Sequence, residues 1–198
     1  MASIPIIQSR QYEEWKLPDR GTVGMISLII GESALFSIFL VAYIFYIGKS
    51  VSGPTPAQVL DIPVFMTICL WSSSLTIWLA ERSIEHGRMT LFKVFWALTI
   101  ALGGIFLGGT AAEWHRLIYH DGLTISTNLF GTTFYALVGL HASHVVVGLT
   151  MLITVLILAL TGHVKPEHAS RIKTLALYWH FVDAVWVVVF TVVYILGR

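Results

Sequence analysis

Five long apolar runs separated by short polar breaks organise the chain: Thr22 to Ile47, Ile62 to Ala80, Val94 to Ala112, Leu129 to Leu160, and Thr174 to Leu196. A helix rising about 1.5 Å per residue needs roughly 20 such residues to cross a hydrocarbon core about 30 Å thick, and each run meets that length. Hydrocarbon offers no hydrogen bonds, so a spanning backbone must satisfy its own polar groups, which makes these runs helices rather than strands. The pattern predicts an all-α, polytopic membrane protein, a single five-transmembrane-helix bundle over residues 22–198 preceded by a polar N-terminal segment, residues 1–21.

The breaks carry ordinary turn chemistry: Gly53-Pro54-Thr55-Pro56, His86-Gly87, Asp121-Gly122 and Lys165-Pro166. None is long enough for a second domain. Ser126, Thr127 and Asn128 stand before the fourth run, where a short polar side chain can accept a hydrogen bond from an orphan backbone donor of the first turn. Gly104 and Gly108 on the third run have the small-residue spacing that lets a neighbouring helix come close, and Gly148 on the fourth invites the same approach.

Composition agrees with the pattern. Of 198 residues, 56% are hydrophobic and 12% charged, against about 25% charged in soluble domains. A soluble enzyme is excluded, and a net charge of +1 gives no electrostatic footprint for nucleic acid. The placement of the charges says more than their sum. Nine basic residues (Arg10, Lys16, Arg20, Arg82, Arg88, Lys93, Lys165, Arg171, Lys173) fall on one side of the alternating spans and three (Lys49, Arg116, Arg198) on the other. Positive residues favour the cytoplasmic side, so the N-terminus is expected in the cytoplasm and the C-terminus outside. The mixed charges from Arg10 to Arg20 and the length of the first run do not fit a cleaved signal.

Chemistry has few places to reside. A single cysteine, Cys69, rules out an internal disulfide, an iron-sulfur site and a covalent c-type haem. No phosphate loop, nucleophile motif or zinc motif is present, so catalytic residues and metal ligands are expected to be none. What remains is a handful of ionisable residues at membrane depth: Glu32, His141, His144, His180 and Asp183, with Glu113 near the outer end of the third span. Each is costly in hydrocarbon, about 2.5 to 3.5 kcal/mol for an acidic side chain at a helix centre, and needs a partner or a wet cavity.

Helical rise puts Glu32 about 15 Å and Asp183 about 13 Å from the inner ends of their spans, with His141 and His144 in the same central zone. His141/His144 and His180/Asp183 share a three-residue spacing, and the expectation is one interhelical polar cluster with carboxylates bonded to imidazoles. An intramembrane carboxylate such as Glu32 is also a candidate for proton exchange, and so for an independent proton-coupled transporter. A b-type haem is a further alternative. Its two axial ligands could not both be His141 and His144, so His180 would have to supply one of them.

Several segments resemble one family. Tyr178-Trp179-His180-Phe181-Val182-Asp183-Ala184-Val185-Trp186 resembles the terminal-helix signature of subunit III of haem-copper terminal oxidases. Gly139-Leu140-His141-Ala142-Ser143-His144-Val145-Val146-Val147-Gly148 is similar to that family's histidine-bearing helix, and Gly31-Glu32-Ser33-Ala34-Leu35-Phe36 to the segment with its buried acid. Phe106-Leu107 with Glu113-Trp114 resembles a further conserved helix end, with Thr110 where the family often has Gln.

The resemblance covers nearly everything after residue 22 and points to the short, five-helix bacterial form found in cytochrome c and quinol oxidases. It implies a non-catalytic core subunit of a proton-pumping complex that reduces oxygen to water. Such a subunit sits in the bacterial cell membrane, packs against oxidase subunit I, and supports assembly, turnover stability and proton uptake. Subunit II is a further implied partner, with small subunits or a respiratory supercomplex beyond it. The haems and copper are expected in the partner subunits, with structural phospholipid and no metal on this chain. Carried over by residue, Glu32 is the buried carboxylate near proton uptake, and His141, His144, His180, Asp183 and Glu113 form the polar set.

Overall fold

A computed structural model describes residues 19–198; most of the expected N-terminal segment lies outside them. The five apolar runs are α1 (Arg20–Tyr46), α3 (Val64–Glu85), α4 (Met89–Tyr119), α5 (Leu129–Leu160) and α6 (Ala169–Phe190), and one short turn of helix, α2 (Pro56–Val59), lies in the first loop. A 3₁₀ turn, Pro166–His168, leads into α6, which then continues as a π-helix over Thr191–Leu196. The five long helices are long and apolar enough to cross a membrane. Successive helices alternate in direction, so one end of the bundle carries Arg20 and the other Leu196. At the Arg20 end the Thr22 and Thr174 hydroxyls meet at 3.2 Å; at the other, Asn128 donates to the carbonyls of Ser52 and Pro54.

Helix ends follow caps rather than the limits of apolarity. α3 runs past Ala80 through Glu81, Arg82 and Glu85, stopping at Gly87, whose φ of 70° is a left-handed conformation that glycine adopts without strain. The amides of Gly87 and Arg88 there bond back to the carbonyls of Ile84 and Ser83, satisfying acceptors that the helix leaves open. α4 likewise extends at both ends of the run expected at 94–112, reaching from Met89 to Tyr119. The cap before the fourth run is as expected: the Asn128 side chain accepts from the Gly131 amide at 2.8 Å.

α6 packs against α1, α3 and α5, while α4 closes the bundle between α3 and α5 and α1 lies at the edge on α5 and α6. Trp96, Phe106, Phe134, Trp179 and Trp186 are fully buried. Three indole N–H groups bind across helices: Trp96 to the Leu152 carbonyl at 2.9 Å, Trp179 to the Ser73 hydroxyl at 2.8 Å and Trp186 to the Thr67 hydroxyl at 3.2 Å. Interhelical bonds of this kind contribute on average about 0.6 kcal/mol within a membrane.

The close approach expected at Gly104 and Gly108 is displaced by one residue. Both face open space, whereas a Cβ on Gly103 would stand 2.7 Å from the Trp179 ring and one on Gly109 would overlap the Met66 sulfur. The spacing signal ignored the flanking glycines, and a one-residue shift turns a helical side chain by about 100°. Gly148 does admit its neighbour, since its Cβ would meet Trp179 at 2.9 Å. Gly103→Ala is therefore expected to destabilise the detergent-solubilised protein by about 1 to 3 kcal/mol. Gly104→Ala should be neutral or stabilising by up to about 1 kcal/mol through helix propensity. Thermal unfolding midpoints of the two variants check the contrast.

Candidate functional site

The expected single cluster of Glu32, His141, His144, His180, Asp183 and Glu113 is four separate arrangements, with no hydrogen bond between them among the described residues. The reason is angular. Side chains three apart on a helix diverge by about 60°, enough for His144 to face α1 while His141 turns into the core and for His180 and Asp183 to meet α3.

The first arrangement joins α1 to α5. His144 Nδ1 lies 2.8 Å from the Leu140 carbonyl and its Nε2 lies 3.0 Å from a Glu32 carboxyl oxygen. A carbonyl only accepts, so Nδ1 carries a hydrogen, and the bond on the other side needs one further proton between Nε2 and the carboxyl. Acid with imidazole, or carboxylate with imidazolium, the pair is neutral overall, which is the form that hydrocarbon tolerates. Phe36 lies against the ring at 4.9 Å, and Tyr178 donates to the His144 carbonyl at 3.2 Å. A cavity of about 260 Å³ bordered by Met25, Leu28, Val147 and Met151 opens beside the pair, leaving the Glu32 side chain 25% exposed.

The second joins α3 to α6. Ser74 Oγ donates to Asp183 and lies 3.2 Å from His180 Nδ1, while His180 Nε2 faces Glu81 at 3.5 Å. Asp183 thus meets an imidazole only through a serine. Ser74 and Glu81 were not singled out from the sequence: Ser74 sits in an ordinary-looking Ser72-Ser73-Ser74 run, and Glu81 falls one residue beyond the apolar limit at Ala80. The usable signal was α6's His180/Asp183 pair, which required acceptors and donors on a neighbour.

His141 is the third, and it stands apart. Fully buried, it has no hydrogen-bond partner on either ring nitrogen, stacks on Trp186 at 5.0 Å and meets the edges of Phe106 and Phe36. Glu113, in the fourth, accepts from Tyr194 of the π-helical segment at 3.0 Å and lines a cavity of about 400 Å³ with Thr110, Arg116 and Trp186. Arg116 binds the Asp61 carboxylate and the Val59 carbonyl, tying the α2–α3 loop to α4. Among the described residues, no group of three or more His, Cys, Asp or Glu side chains converges as a metal site. The residues do not fit a b-type haem with two axial histidines either: His144 meets Leu140 and Glu32 through its two ring nitrogens and His180 meets Ser74 and Glu81 through its own, which leaves only His141 with unengaged nitrogens.

The family profile of cytochrome c oxidase subunit III matches residues 19–198. A cytochrome c oxidase subunit 3 of Alkalihalophilus pseudofirmus is 35% identical over 189 residues, covering 91% of this chain and 92% of that protein. One from Bacillus sp. PS3 is 35% identical over 84% of this chain and 81% of its own length. A quinol oxidase subunit 3 of Bacillus subtilis is 30% identical, with 84% and 82% covered.

Asp61 yields a pH test outside the spans. The Arg116 guanidinium holds its carboxyl below the usual carboxylate range, first through the hydrogen bond and then through charge. A depressed folded-state value stabilises above the unfolded value and loses that contribution as pH falls through the folded one. The thermal midpoint of the unmodified protein should exceed that of Asp61→Asn at neutral pH, and the two should converge as the pH falls through the depressed carboxyl range. A gap that persists in acid would mean that charge is not what ties this loop.

Proposed function

The chain belongs to the cytochrome c oxidase subunit III family, and from that premise we propose that it is the non-catalytic third subunit of a proton-pumping oxidase in a bacterial cell membrane. The Arg20 end faces the cytoplasm in this reading. The chain packs against subunit I in a complex that also holds subunit II, and it supports assembly, turnover stability and proton uptake. Haems and copper stay in the partner subunits, and phospholipid fills the grooves on this chain's membrane face. Both donor types occur among the relatives' names, cytochrome c and quinol.

The observation that carries the reading is the Glu32–His144 pair, a carboxyl and an imidazole 3.0 Å apart on separate helices beside an open cavity. A structural contact of this kind needs only two hydrogen-bonding groups; this one sets a carboxyl and an imidazole about a shared proton. Its neutrality keeps the cost of residence low, while either partner can carry the proton.

Glu32→Gln keeps a hydrogen bond to His144 and removes the exchangeable acid. The variant complex is expected to assemble with its full complement of subunits and haem, and to turn over with a lower proton-to-electron ratio or a shorter catalytic lifetime. Unchanged pumping and lifetime would reduce Glu32 to a packing residue. Co-purification with a haem-bearing subunit separates this function from that of an independent transporter, which would instead move protons when the chain alone is placed in liposomes.

A further inference from the structure

We infer that α3 and α6 carry a second proton-binding element, a side-chain relay that runs from the Arg20 end of the bundle to Asp183 and is separate from the Glu32–His144 pair. It deepens the proton-uptake reading and rests on it for the direction in which the mouth faces.

Regular helix spacing builds the relay. Going down α3 from mid-depth, Ser74, Glu81 and Glu85 lie seven and then four residues apart; on α6, Lys173, His180 and Asp183 lie seven and then three apart. Such intervals keep each set on one face, and the two faces meet. Lys173 pairs with Glu85 at the mouth, Glu81 faces His180 one step further in, and Ser74 bridges His180 and Asp183. From Glu85 to Ser74 the chain of groups covers about 16 Å along α3.

Hydrogen positions give the relay a direction. The single hydroxyl proton of Ser74 goes to Asp183, so the contact between Ser74 and His180 requires Nδ1–H to donate to Ser74 Oγ. Nε2 is left facing Glu81. A proton arriving at Nε2 is then matched by release of Nδ1–H to Ser74, whose own proton passes to Asp183 Oδ2. Only N–H and O–H bonds change, one proton enters and one is held, and the reverse sequence returns it.

Two further observations distinguish this from an ordinary packing network. Asp183 is 4% exposed, and its other carboxyl oxygen, Oδ1, has no partner; Glu81 Oε1 is also buried without a hydrogen bond. Each of these oxygens keeps an acceptor site open for a proton. At the mouth, a cavity of about 300 Å³ lined by Trp78, Glu81, Arg82, Glu85, His86 and Lys173 is large enough for several waters and mixes both signs of charge. Glu81 both lines this cavity and faces His180 Nε2, so it joins the mouth to the imidazole.

The test follows the Asp183 carboxyl proton in the intact oxidase complex by infrared spectroscopy, reading exchange in deuterated buffer from its carbonyl stretch. The band is expected to disappear in Asp183→Asn, or to shift in Asp183→Glu should the first variant fail to assemble. Exchange should slow about tenfold or more in Ser74→Ala and in His180→Phe, and Ser74→Thr, which retains the hydroxyl, should restore it. Exchange as fast as in the unmodified complex in both relay variants, or the absence of any carboxyl band sensitive to Asp183 at any pH, would overturn the inference. Slowed exchange with unchanged proton uptake during turnover would uphold the relay and instead remove proton supply from the proposed function.

Discussion

An indole N–H placed in hydrocarbon has no water to fall back on, and the position of α6 follows from that. Trp179 and Trp186, seven residues apart, donate to Ser73 and Thr67 of α3. Between them, four residues beyond Trp179, Asp183 projects from the same face and meets Ser74. Once the two indoles are anchored, the carboxyl has nowhere else to go. Trp179 in turn occupies space that Gly103 of α4 and Gly148 of α5 leave open. Two ring positions thus fix α3, α4 and α5 around α6, and the buried acid takes its place as a consequence.

The outward surface obeys the same constraint by a different route. Ile30, Ile38 and Val41 on α1, Phe65 and Ile68 on α3, and Ile153 and Ile157 on α5 are exposed, as suits a surrounding of acyl chains or other subunits. Hydroxyls that face outward are turned inward on themselves: Ser33, Ser37, Thr150 and Thr154 each donate to the carbonyl four residues earlier. Their polarity is spent within the helix, and the surface presented is largely methyl and methylene.

The five helices were legible because hydrocarbon demands long apolar runs, and the α5 cap because Asn128 is suited to it. Mid-depth acids and histidines were likewise evident as residues in need of partners. Their actual partners were not, because pairing depends on rotation about each helix axis. His141 and His144 look like one site in a linear reading, yet the angle between them sends one to Trp186 and the other to Glu32. Glu81 was hidden for another reason: apolarity stops at Ala80, but the hydrogen-bond ladder of α3 runs on to Glu85. Gly103 and Gly109 were masked by neighbours that form the more familiar spacing.

α1 rests on α5 and α6 rather than on the helices that follow it directly. The carboxyl of Glu32 therefore enters the bilayer before the ring that neutralises it exists, because His144 lies 112 residues further along. At about 5 to 20 residues per second, that interval lasts about 6 to 22 seconds. Throughout it, a newly inserted α1 must hold its acid without the neighbour found in the finished bundle, shielded by a proton, by water drawn into the bilayer, or by the insertion machinery. α1 can close on its partners only after both have been made, and the least buried of the five long helices is also the one that waits longest.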